Sequence, residues 1–224
     1  MCNLFRLKAR PDHLRELLHY MEDHDFPPRA YISPGSPIAI VRNDRGARHL
    51  ALVRWGFVPS WAKEVAPGKP LTNARIETLL EKASFKNAVR RRRCLIPADG
   101  YYEWSGVEGR KQAYQVTRVD GQPFAFAGLW EHWLGPDGSE LETAAIVTTA
   151  ALPPMAAVHP RMPVVVAPHL HREWLANESV DAGDMLAAVQ SHPDPTLIVE
   201  PVELERRAPP PKPPTAETHQ LTLF

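Results

Sequence analysis

Cysteine is almost absent from this chain: Cys2 and Cys94 are its only two. Two thiols so far apart cannot build the disulfide framework of a secreted scaffold, and their spacing matches no zinc-ligand pattern. No segment supplies the roughly 18 uninterrupted apolar residues of a membrane-spanning helix. The opening MCNLFRLKARPDHL lacks the basic region, apolar stretch and small-residue cleavage site of a secretory signal. There is no glycine-rich phosphate loop, and the histidines, His169 and His171 included, form no HExxH-like ligand set. These absences argue against export, membrane insertion, a metal and a nucleotide cofactor, and predict a protein of the reducing cytoplasm.

Net charge is also missing, since the formal sum is zero, but the charge is segregated along the chain. Between Arg42 and Arg93 thirteen Lys or Arg face four acids, so that stretch carries +9 and the remainder −9. A solvated, locally balanced face would account for a run such as Arg90 to Arg93. Arginine dominance favours phosphate as a partner, because the planar guanidinium bonds phosphate oxygens in pairs.

The pattern of apolar residues predicts one domain whose core is mainly antiparallel β, with flanking short helices. Leu14, Leu17, Leu18 and Met21 recur at helical spacing, which predicts a helix over residues 12 to 23. PIAIV and HLALVRW flank the turn Asn43-Asp44-Arg45-Gly46 and predict a β-hairpin from Pro37 to Trp55, with WGFVPSW leaving as a loop. Ile76, Leu79 and Leu80 predict a helix within residues 74 to 91, followed by a strand at Cys94 to Pro97. From Tyr101 to Thr149 alternating aromatic and β-branched runs separated by turns predict an antiparallel meander. A strand at Met162 to Val166, short helices near His169 to Leu175 and Asp181 to Val189, and a last strand at Thr196 to Val202 complete the domain, over residues 1 to 207. Residues 208 to 219 are proline-rich and predict an extended linker before QLTLF at 220 to 224.

Cys2 follows the first methionine, and removal of Met1 would leave cysteine at the N-terminus, with an amine and a thiol on one residue. A 1,2-aminothiol condenses with an aldehyde: the amine forms a Schiff base and the thiol closes on it to give a thiazolidine. The opened deoxyribose of an abasic site supplies such an aldehyde. The competing reading of a lone cysteine is a small buried hydrophobe.

Three clusters stand with Cys2: Asn73-Ala74-Arg75-Ile76-Glu77, Pro97 to Trp104 (PADGYYEW), and Val158-His159-Pro160-Arg161-Met162-Pro163. Together with WGFVPSWAK at Trp55 to Lys63, RCLIPADGYYEW at Arg93 to Trp104 and IVTTAA at Ile146 to Ala151, the ordered set resembles the SRAP family, the SOS-response-associated peptidases that crosslink to abasic sites in DNA. The resemblance covers roughly residues 1 to 205.

That resemblance implies an α+β fold, a single compact domain built around a barrel-like, mainly antiparallel β-sheet, with a positively charged cleft for single-stranded DNA and Cys2 as the crosslinking nucleophile. It implies that Asn73 holds the N-terminal residue and the opened sugar, and that Glu103 and His159 transfer protons. A carboxyl in an apolar strand and a histidine near its working pH suit that chemistry. Arg75 and Arg161 are the matched candidates for phosphate contact, and Trp55, Phe57 or Trp61 are available for base stacking. Read singly, Asn73 also suits a helix N-cap, Glu103 a salt bridge, His159 a loop and the aromatics a core.

The sequence departs from the family's usual opening, which has Gly and Arg after the first Cys where this chain has Asn3 and Leu4, leaving Arg6 as a candidate replacement. Tyr31 to Gly35 replaces a loop that usually contains Asn. Gln220, Leu221, Leu223 and Phe224 resemble the pentapeptide by which bacterial repair proteins dock on the DNA polymerase sliding clamp. The expected protein is a monomeric, nucleoid-associated abasic-site crosslinker. The alternatives are a thiol peptidase that removes its own Met1 and a noncatalytic, clamp-tethered DNA-binding module.

Overall fold

The computed structural model describes residues 2–22, 26–65, 70–177, 180–192 and 196–204. The proposed linker and QLTLF peptide lie outside the described residues. No helix among those residues is long and apolar enough to cross a membrane.

Two sheets carry the structure. The first places β12 (Leu197–Val202), β8 (Gln112–Arg118), β7 (Gly100–Ser105), β1 (Phe5–Leu7) and β2 (Arg29–Ile32) side by side in that order, every neighbour antiparallel. The second is built on the hairpin β3 (Pro37–Asp44) and β4 (Ala47–Trp55). From β3 it continues through β6 (Arg93–Ala98) and β9 (Phe124–Leu134) to β10 (Glu140–Ala150), which pairs in parallel with β4 and so closes a ring. Closure removes the free edges that an open sheet would expose. Two short strands, β5 (Asn73–Arg75) in parallel and β11 (Arg161–Pro163) antiparallel, extend along β10.

The barrel interior is apolar and filled: Ile38, Ile40, Ile96, Phe126 and Ile146, which share one face of the sheet by register, are fully buried. Gly128 of β9 pairs with Cys94 on one side and Ile146 on the other, and a Cβ there would stand 2.7 Å from the Cys94 sulfur. Glycine is the residue that lets these strands approach. The β3–β4 turn runs through Arg45 and Gly46, both with positive φ, and the Asn43 side chain accepts from Gly46 N–H at 3.1 Å. That is the conformation favoured in two-residue hairpin turns.

The barrel-like α+β expectation agrees with this architecture, whereas several element boundaries differ. The first helix, α1 (Pro11–Leu18), stops earlier than the periodicity predicts because His19 turns into the left-handed region. Residues 74 to 91 do not form one helix: β5 is followed by a 3-10 turn (Ile76–Thr78), irregular chain and a single α-turn, α2 (Ala88–Arg91). Pairing of Asn73 to Arg75 with β10 overrides local helical preference there. The predicted meander is two separate hairpins, β7–β8 in the first sheet and β9–β10 in the barrel. β8 spends its second edge on β12, and β9 spends its second edge on β6, so the two hairpins do not pair.

Two helices close the domain, α3 (His171–Leu175) and α4 (Ala182–Ser191), the latter capped by Asp181, whose carboxylate accepts from Gly183 and Asp184 N–H. Arg93, fully buried at the start of β6, donates to the carbonyls of Trp174 (2.7 Å), Val89 (2.9 Å) and Ala176 (3.1 Å). It brackets α2 and α3 onto the barrel and is unavailable to a ligand.

His171 is buried and its Nε2 lies 3.0 Å from the Val166 carbonyl; burial lowers its pKa from 6.5 to about 4. Between those values the unfolded chain binds a proton that the folded chain does not. Stability should therefore fall as pH drops through this window, by roughly 3 kcal/mol in all. Urea unfolding at about pH 7 and pH 4.5 should show this loss, and His171→Gln should flatten the dependence; an unchanged pH slope in the variant would contradict it.

Candidate functional site

The N-terminal segment is threaded between the two sheets. Phe5 and Leu7 pair with β2, Phe5 and Arg6 pair with β7, and Tyr102 N–H donates to the Leu4 carbonyl at 2.9 Å. Phe5 packs edge-on against Trp55 and Phe126, at 5.2 and 5.9 Å between ring centroids. Asp99 holds the same segment: its carboxylate accepts from the backbone of Lys8 and, at 2.7 Å, of Ala9, and pairs with Arg6 at 2.7 Å.

With the segment fixed there, Cys2 lies beside β5 of the barrel. The Asn73 side-chain amide donates to the Cys2 carbonyl at 2.9 Å, and lies near Asn3 Oδ1 (3.3 Å) and Thr72 Oγ1 (3.1 Å). Trp55 Nε1 anchors the strand before it by donating to the Thr72 carbonyl at 2.9 Å. The Asn73 Oδ1 is buried and has no hydrogen-bond partner among the described residues, so the site holds an acceptor in reserve. Asn73 is therefore a strand residue aimed at the N-terminus and not a helix cap.

Glu103 of β7 is buried, at 4% exposure, and its charge acts on Cys2 and Tyr101. Burial first, and Glu103 second, push the Cys2 thiol well above its ordinary range. Cys2 therefore rests as a thiol, not a thiolate. Tyr101, two residues before Glu103 on the same face of β7, is also fully buried, and burial raises its phenol well above 10, with Cys2 and Glu103 adding to the effect. Its hydroxyl has no hydrogen-bond partner among the described residues.

His159 and Arg161 approach along β10. The Arg161 backbone N–H donates to His159 Nδ1 at 3.0 Å, which orients the half-buried ring. The Arg161 guanidinium is bidentate on Glu77, at 2.6 and 3.0 Å, and donates to the Thr148 carbonyl at 2.8 Å. That pairing with Arg161 holds the Glu77 carboxyl below its usual range. Thr148 pairs with the exposed Arg75 of β5 and accepts from the Arg161 guanidinium, whose own backbone pairs with Ala150, so both arginines meet β10 at Thr148.

The structure thus brings Cys2, Asn73 and Glu103 together and sets Arg75, His159 and Arg161 along β10. It corrects the aromatic candidates: Trp55 and Phe57 are 0% and 2% exposed, packed on Phe5 and Phe85, and cannot stack on a base. Trp61 is 62% exposed and keeps an open face, its Nε1 donating to the Ala83 carbonyl. Arg6 is engaged by Asp99 and Gln115 and does not replace the missing family arginine. Tyr101, Glu77 and Thr148 were not singled out in the sequence. The alternation in YYEW could have placed Tyr101 beside Glu103, whereas nothing in sequence spacing links Glu77 to Arg161. Among the described residues, no three His, Cys, Asp or Glu converge as a metal site.

Comparison with known proteins places the chain in a family. Residues 1–205 match the SOS response associated peptidase (SRAP) family. Abasic site processing protein YoqW of Bacillus subtilis is 34% identical over 86% of this chain and 88% of its own length. Abasic site processing protein YedK of Escherichia coli is 33% identical over 80% of this chain and 81% of its own. A crystal structure of a phage-related protein from Bordetella bronchiseptica superposes with a TM-score of 0.74 at 29% identity, covering 91% of this chain and 95% of that one. On the match of motifs, fold and nearly the whole length, the chain belongs to the SOS response associated peptidase family.

Proposed function

We propose that this protein processes abasic sites in single-stranded DNA by bonding to them covalently through Cys2 once Met1 has been removed. The observation that carries the reading is the Asn73 amide on the Cys2 carbonyl with Glu103 buried alongside. That geometry holds the residue next to Met1 rigidly where its own amine and thiol can act. The names of the relatives YoqW and YedK, both abasic site processing proteins, point to the same substrate.

Hydrolysis of the Met1–Cys2 peptide bond frees the Cys2 amine. The amine attacks C1′ of the open-chain deoxyribose to give a carbinolamine, which loses one water to form an imine. The thiol then adds to the imine carbon: a C–S bond forms, the C=N pair goes to nitrogen, and the thiol proton is transferred to it, closing the thiazolidine. Because Cys2 rests protonated, this last step needs a proton acceptor, a role that suits Glu103, whose charge acts on Cys2. Asn73 Oδ1, buried and without a hydrogen-bond partner among the described residues, suits a donor on the substrate or the new N-terminus. His159 serves proton transfer at the sugar, the exposed Arg75 meets a flanking phosphate, Arg161 meets one by exchanging its Glu77 carboxylate for it, and Trp61 is the stacking residue.

The alternative, a thiol peptidase, calls for turnover of a peptide substrate, and a raised Cys2 pKa does not favour it. Gln220, Leu221, Leu223 and Phe224 complete the proposal as a sliding-clamp docking peptide, on the strength of sequence alone.

Incubation with a single strand containing one abasic site should give an adduct that survives denaturation and is absent with Cys2→Ala or with Met1 retained. Glu103→Gln should slow its formation roughly a hundredfold or more. Reversible, salt-sensitive binding unchanged by Cys2→Ala, with no adduct, would leave a noncatalytic DNA-binding module instead. Deleting residues 220 to 224 should abolish capture by an immobilised sliding clamp while leaving adduct yield intact; undiminished capture refutes the docking peptide.

A further inference from the structure

The arginine-rich stretch does not all face the Cys2 site. Two adjoining depressions share Arg90 and Arg91 of α2 as common walls. The larger, about 880 Å³, runs to Asn43 and Arg45 at the β3–β4 turn and to Asn177 after α3. The smaller, about 410 Å³, runs the other way to Ser60, Asn87, Arg92 and Trp130. Ser60 lies in the WGFVPSW loop, so the two depressions together reach from that loop to the hairpin tip.

Its charge is one-sided. Arg45 and Arg91 are exposed and make no ion pair among the described residues, and Arg90 spends one N–H on the Lys86 carbonyl. Asp44 is the acid that lines the larger depression. Asp181, whose field is felt with that of Arg90, is occupied in capping α4. Arg92 pairs with buried Glu131 at 2.6 Å, and Arg42 lies over the Trp130 ring at 4.2 Å while pairing with Glu142. Two arginines thus stiffen the aromatic end, and three keep their guanidinium groups for a ligand.

The hairpin end of this groove is also distant from the chemistry. Trp55, at the base of the hairpin, touches the Cys2 region through Phe5 and Thr72, whereas Arg45 sits at the opposite end. Eight residues of extended strand from Pro37 to Asp44 separate the two ends by roughly 23 Å at about 3.3 Å per residue. An elongated, open, arginine-lined groove with amide side chains and an aromatic at one end fits a strand of alternating phosphates and bases better than a compact anion.

We infer that this groove is a second nucleic-acid binding surface, which holds the sugar-phosphate backbone of DNA several nucleotides away from the lesion bonded by Cys2. The inference rests on the DNA-directed reading of the Cys2 site. It adds that affinity for long strands and reaction at the abasic site are carried by separate surfaces.

The test compares wild type with Arg45→Ser/Arg90→Ala/Arg91→Ala, and with an equal loss of charge elsewhere, Arg10→Ala/Arg110→Ala/Lys111→Ala. Arg91→Glu serves as a second groove variant that alters one exposed side chain only. Anisotropy with an undamaged single strand of roughly 40 nucleotides should show the groove triple about tenfold weaker or more, and its log K against log salt slope shallower by about 2. The control triple should bind within about twofold of wild type, since charges remote from the strand contribute little beyond a Debye length. Equal weakening by both triples, or by neither, overturns the inference, as does displacement of the strand by polyglutamate at matched charge as readily as by unlabelled DNA. Adduct formation with an abasic strand of about five nucleotides, two on either side of the lesion and so too short to reach the hairpin end of the groove, should be the same in wild type and the groove triple, and loss of that adduct in the triple alone overturns the separation of surfaces. If wild type itself forms no adduct, the Cys2 reading falls, while the anisotropy series still decides the groove.

Discussion

A hydrogen bond from the Asn73 amide to the Cys2 carbonyl joins the two sheets at the point where the chemistry is proposed. One partner belongs to a strand docked on the barrel and the other to the segment that leads into the first sheet. Its geometry depends on everything around it: the threading of Phe5 to Leu7 between β2 and β7, the Asp99 carboxylate on the backbone of Lys8 and Ala9, and the parallel register of β5 on β10. A terminal residue is ordinarily the least ordered part of a domain. Here the residue after Met1 is fully buried and fixed, which is the preorganisation that a covalent capture requires.

Burial that orders Cys2 also sets its reactivity. Desolvation and the Glu103 charge keep sulfur protonated, and the same surroundings keep the Tyr101 phenol neutral. Such a site is poorly suited to begin a reaction with sulfur. It suits an order in which nitrogen attacks first and sulfur closes afterwards, with a neighbouring carboxylate to take the proton.

The arginines divide by their neighbours rather than by their place in the chain. In the run Arg90 to Arg93, the last is buried on backbone carbonyls, the third is paired with Glu131, and the first two are exposed. Arg161 and Arg6, each a candidate for DNA contact, are held by Glu77 and by Asp99. A count of +9 along a segment therefore says that positive charge is abundant, but the direction of each guanidinium is settled by which carboxylates and carbonyls the fold brings to it.

Much of this protein was legible in the linear chain. The hairpin about Asn43 to Gly46, the strand after Arg93 and the β-rich middle follow from local periodicity and turn chemistry, which are properties of neighbours in sequence, and the motifs containing Cys2, Asn73, Glu103 and His159 were legible through their resemblance to a family. Other features needed the folded chain. The break of the supposed 74 to 91 helix, the split of the meander between two sheets, the parallel closure of β4 on β10, the burial of Trp55 and Phe57 and the Arg161–Glu77 pair all arise from contacts between residues far apart in sequence. Local pattern cannot encode them, because a strand's partner, and hence which side chain is covered and which charge is neutralised, is chosen only when distant segments meet.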